Sequence, residues 1–63
     1  MANYKLFAKL CQEKKVRPAD VSKATGINPA TLTAWKQGVS KPKYESILKI
    51  ADYFGVKAEE FYK

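Results

Sequence analysis

Residues 17–38 read RPADVSKATGINPATLTAWKQG, and this stretch decides the fold. Two segments each open on a proline, Pro18 and Pro29. The first helical position suits proline, because the N–H it lacks would have had no intrahelical partner there. Asp20 then complements the positive end of the first helix dipole, and Asn28 offers an N-cap oxygen to the second helix. Gly26 permits the positive φ that stops the first helix near Thr25, and Gly38 ends the second. The pattern is two short helices joined by a tight turn. Where they cross, a small residue is needed, and Ser22, four residues before Gly26, supplies it. Val21, Ile27, Leu32 and Trp35 form an apolar wedge that holds the two helices at a fixed angle.

Outward from this stretch, the periodicity stays helical. Tyr4, Phe7, Leu10 and Cys11 share one face of a first helix that runs from Asn3 or Tyr4 to about Lys15, with Leu6 widening the face and Asn3 as its cap. Residues 39–42 form a short loop. A fourth helix from about Lys43 to Phe54 carries an apolar stripe of Tyr44, Ile47, Leu48, Ala51 and Phe54, and Gly55 terminates it. A last short helix covers about Ala58 to Tyr62, with Phe61 turned inward and Glu59 and Glu60 in its first turn. No segment alternates long enough to be a strand. The chain reads as all-α, five helices in a single domain over residues 1–63. A chain of this length buries only roughly 60% of its unfolded surface, so it has one small core.

Charge gives the first functional signal. Between Lys14 and Lys43 lie seven basic residues (Lys14, Lys15, Arg17, Lys23, Lys36, Lys41 and Lys43) and one acid, Asp20. This segment holds the whole of the net +6, and the rest of the chain is neutral. A basic segment centred on a helix-turn-helix is the footprint of a phosphate binder. Two helices crossed this way push one of them into the major groove of DNA. Lys36, Gln37, Lys41 and Lys43 cluster around the end of the second helix of the pair and the following loop, placed to reach phosphates. Arg17 and the amides of Ala19 and Asp20 form an anion site at the start of the first, and backbone amides near Val39 and Ser40 add to the phosphate contacts.

The stretch resembles the helix-turn-helix of the Cro/C1-type (XRE-like, lambda-repressor-like) transcriptional regulators of bacteria and phages. Ser22, Gly26, Ile27, Leu32 and Trp35 stand in that family's positions for a small residue, a turn glycine, a following apolar residue and spaced anchors. TLTAWKQGVSKPKYESILKIADYFGV is similar to its passage from the recognition helix, through a glycine and a lysine-proline loop, into a fourth helix ending in Phe-Gly-Val. The likeness runs from Leu6 to Phe61. Arg17 stands where the family usually has Ser or Thr, Pro18 where it often has a phosphate-contacting Gln, and Lys57 where it usually has Ser. The resemblance implies a compact lambda-repressor-like domain binding double-stranded DNA as a homodimer, with residues 28–37 as recognition helix. Docked as the family docks, Pro29, Ala30, Thr33 and Ala34 face base edges, with Gln37 beyond them. Thymine methyl groups suit Ala30, Ala34 and the Thr33 methyl, so a preference for thymine-containing steps is expected, with DNA shape supplying much of the specificity.

Other readings fit less of the sequence. Trp35 at this spacing is a core anchor rather than a base stacker, and Cys11 a small buried hydrophobe rather than a redox sensor. Tyr53 and Tyr62 are candidates for a dimer contact, and Lys5 and Lys9 form a solvated face. With no His, one Cys and scattered carboxylates, the chain offers no catalytic or metal-ligand pattern and no evident cofactor or small-molecule ligand. The single cysteine suits a reducing compartment, and no run approaches the ~20 apolar residues of a membrane span, so a cytoplasmic, nucleoid-associated protein is expected. A protein-interaction module, antitoxin or adaptor, is the alternative that keeps the fold; it leaves the basic segment without a purpose.

Overall fold

The computed structural model describes residues 3–63, and among them there are helices and no strand. The order is α1 (Tyr4–Lys14), α2 (Pro18–Thr25), α3 (Pro29–Lys36), α4 (Tyr44–Phe54) and a terminal 3-10 helix (Ala58–Tyr62). The fifth helix of the sequence reading is a 3-10 turn, a form that occurs in short pieces at chain and helix ends. The side chain of Asn3 caps α1 by accepting from the Lys5 amide at 2.9 Å, and Asn28 caps α3 by accepting from Ala30 at 2.9 Å. At α2 the capping comes from the other direction. The Asp20 carboxylate accepts from the Arg17 amide at 2.9 Å, while Arg17, at the N-cap, makes no side-chain cap.

Three helices end on the same device. Lys15, Gly38 and Gly55 take left-handed backbone at φ 58, 74 and 72, and the next residue's amide reaches back to a carbonyl five residues earlier (Val16 to Cys11, Val39 to Ala34, Val56 to Ala51). This 6→1 closure satisfies carbonyls that the helix leaves open. It ends α3 at Lys36, short of the glycine that the sequence reading took as its end.

The core gathers behind α3. Phe7, Val21, Ile47, Ile50 and Phe61 are fully buried, joined by Cys11, Ile27, Leu32, Trp35 and Ala51. Trp35 sits within an aromatic cluster, 5.2 Å from the rings of both Tyr4 and Phe7 and 6.2 Å from Phe61. α2 packs on both α3 and α4, and the terminal turn packs on α4 and α1. The stripe of α4 is rotated from the sequence expectation. Ile50 lies in the core, whereas Tyr44 and Leu48 face outward. Lys14 closes the back of the bundle. Its Nζ donates to the Tyr53 carbonyl at 3.1 Å and sits 4.7 Å above the Tyr53 ring.

Candidate nucleic-acid interface

The turn between α2 and α3 fixes the angle of α3. Gly26, at φ 77, donates its amide to the Ser22 carbonyl at 2.8 Å. Ser22 is buried, and its hydroxyl donates to the Ile27 carbonyl across the turn. The small residue at the crossing is thus also a polar tie between the two helices. Within α2 the Thr25 hydroxyl donates to the Val21 carbonyl at 2.7 Å, and its oxygen accepts from the Ile27 amide in the turn at 3.4 Å. Val21, Ile27, Leu32 and Trp35 are all buried, as the wedge requires.

With Leu32 and Trp35 held from behind, the opposite face of α3 is set. Pro29, Ala30, Thr33, Lys36 and Gln37 are exposed and Ala34 is half-buried. The Thr33 hydroxyl donates back to the Pro29 carbonyl at 3.2 Å. Beside this face lies a shallow concavity of about 220 Å³, lined by Pro18 and Ala19 from α2, Pro29, Leu32, Thr33 and Lys36 from α3, and Tyr4. The start of α2 and the outer face of α3 therefore border one surface.

A family profile for the Cro/C1-type HTH DNA-binding domain matches residues 7–63. The chain belongs to this family. No curated protein and no solved structure matches it. In this Cro/C1-type domain α3 is the second helix of the helix-turn-helix, the position that in such motifs holds the recognition helix.

The basic residues differ in their surroundings. Arg17, Lys36, Lys41 and Lys43 are exposed near α3, the start of α2 and the loop after α3, and Pro42 is buried between Lys41 and Lys43, pinning that loop to the domain. Lys14 instead serves the fold through Tyr53. Two expectations about amides are corrected. Val39 and Ser40 both donate to the Ala34 carbonyl, at 3.0 and 3.4 Å, and the Asp20 amide donates to the Arg17 carbonyl at 2.9 Å. The closure of α3 engages the Val39 and Ser40 amides, and the first turn of α2 engages that of Asp20. Sequence reasoning missed a different end. Lys43 is the N-cap of α4 and provides no side-chain cap, so the positive end of that helix dipole opens beside Lys43, with Glu45 in its first turn. The signal was there: no Ser, Thr, Asp or Asn precedes Tyr44.

Burial, and to a lesser degree the nearby Asp20 carboxylate, raises the Cys11 thiol above its usual range, which keeps it protonated and unreactive. No group of His, Cys, Asp and Glu able to hold a metal occurs among the described residues. No helix among them is long and apolar enough to cross a membrane.

Proposed function

We propose that this domain is a sequence-specific transcriptional regulator, a repressor of phage or bacterial origin. It places α3 in the major groove of double-stranded DNA, where Pro29, Ala30, Thr33, Ala34 and Gln37 meet base edges. Arg17, Lys36, Gln37, Lys41 and Lys43 hold phosphates, and the uncapped start of α4 gives one of those phosphates a dipole to sit on. The observation that carries this reading is the two-sidedness of α3: Leu32 and Trp35 are only 3% and 4% exposed, while the opposite face is open and flanked by lysines.

The same reading calls for two copies. The domain measures 25 × 23 × 19 Å, whereas successive major-groove faces lie about 34 Å apart along one side of B-DNA. One copy reads one half-site. Tyr44, Leu48 and Tyr62 supply an apolar surface for the second copy: Tyr44 and Leu48 are one turn apart on α4, and the Tyr44 and Tyr62 rings are 6.0 Å apart. Tyr62 is exposed and belongs to this proposed contact. Tyr53 is half-buried beneath Lys14 and contributes less.

Selection from a random-duplex pool, followed by sequencing, tests both parts. The expected result is an enriched two-fold site with half-sites about one helical turn apart and thymine at the central contacted steps. Guanine-dominated central steps would refute the thymine preference. A folded protein that enriches no sequence would point to a protein-interaction module instead.

A further inference from the structure

The first two turns of α3 present carbon to the outside. Pro29 offers its ring, and Ala30 and Ala34 their methyl groups. Thr33 is the one side chain among the four with a hydroxyl, and that hydroxyl is turned back along the helix to the Pro29 carbonyl at 3.2 Å. Such back-bonding engages the hydroxyl within the helix, and the γ-methyl is the other group that this exposed side chain offers. The neighbouring polar head, Asn28, is engaged in capping, its Oδ1 accepting from Ala30 at 2.9 Å. Next to this face the concavity continues in the same chemistry, through Pro18, Ala19 and Leu32.

On the major-groove edges of the base pairs, the group that answers a carbon surface is the C5-methyl of thymine. Cytosine carries a methyl at the same ring position once it is methylated at C5. Side chains that read by hydrogen bonds separate the two pyrimidines by O4 against the N4 amino group. A surface of methyls and proline rings makes no such distinction.

We propose that α3 reads the C5-methyl group itself, so that 5-methylcytosine is a ligand of this site alongside thymine and cytosine methylation raises affinity. The proposal rests on α3 lying in the major groove.

The test uses a duplex enriched by selection, with single replacements at the steps that α3 contacts, read by fluorescence anisotropy. Two pairs isolate the methyl: thymine against uracil opposite adenine, and 5-methylcytosine against cytosine opposite guanine. In each pair the methylated base is expected to bind about fourfold tighter, equivalent to about 0.8 kcal/mol for one buried carbon. Thr33→Ser keeps the hydroxyl and removes the γ-methyl. It is expected to shrink both ratios at the step it faces. Equal affinities within either pair, in a protein that still binds the selected duplex, would overturn the proposal. Loss of binding to every duplex would instead overturn the DNA reading beneath it.

Discussion

Lys15 is the residue at which local conformation and side chain disagree. It holds φ 58 and ψ 43 so that the Val16 amide can reach the Cys11 carbonyl at 2.9 Å and Val16 can fold onto the core. The equivalent positions after α3 and α4 are glycines. An L side chain in left-handed backbone costs roughly 1–2 kcal/mol, because its Cβ crowds the following carbonyl. Glycine escapes that crowding but gives up more freedom on folding. Lys15→Gly is therefore expected to raise stability by about 1 kcal/mol, seen as a higher urea midpoint at unchanged slope. A lower midpoint would mean that Lys15 stabilises the fold through contacts of its own. Nothing in the residues around Lys15 signals this conformation, since lysine does not announce a left-handed turn. Gly26 and Gly55 did, and the ends of α2 and α4 were legible from them.

Among the elements, α2 and α3 act as one unit because Ser22 does two jobs at their crossing. It is small, and its hydroxyl meets the Ile27 carbonyl. Removing the hydroxyl leaves that acceptor short of a partner, which costs about 1–3 kcal/mol when buried. Adding carbon also forces the helices apart, at a further ~1–3 kcal/mol. Ser22→Ala is thus expected to destabilise, and Ser22→Val to destabilise more, both read by urea unfolding. Equal effects would show that the crossing has room to spare. The size requirement was readable from position alone; the hydrogen bond was not, because it depends on where the turn carries the Ile27 carbonyl. The orientation of α4 was also only half legible. Ile47, Ala51 and Phe54 lie on either possible stripe, and Leu48 and Ile50 widen it on opposite sides. Both are large aliphatics, so only the packing of α2 and the terminal turn against α4 decides that Ile50 goes in and Leu48 stays out.

At the scale of the whole molecule, the question is which of its charges act on DNA. The sequence places the excess of basic residues between Lys14 and Lys43 but treats them alike. The fold sorts them. Lys14 is drawn to the end of α4, while Lys41 and Lys43 flank the buried Pro42 and project beside the uncapped start of that helix. Lys9 is exposed on α1, outside the basic segment. Each phosphate neutralised by a side chain releases condensed counterions, so each contributes about 0.9 to the slope of log affinity against log salt. Lys41→Ala and Lys43→Ala are each expected to lower that slope by about this amount and to weaken binding to all duplexes alike, since phosphates carry no sequence. Lys9→Ala should leave the slope where it was. Titrations of the three variants and the parent across a range of salt concentrations separate these outcomes. Unchanged slopes in both loop variants would remove residues 41–43 from the interface, and a lowered slope for Lys9→Ala would show that attraction follows net charge rather than the surface on which α3 lies.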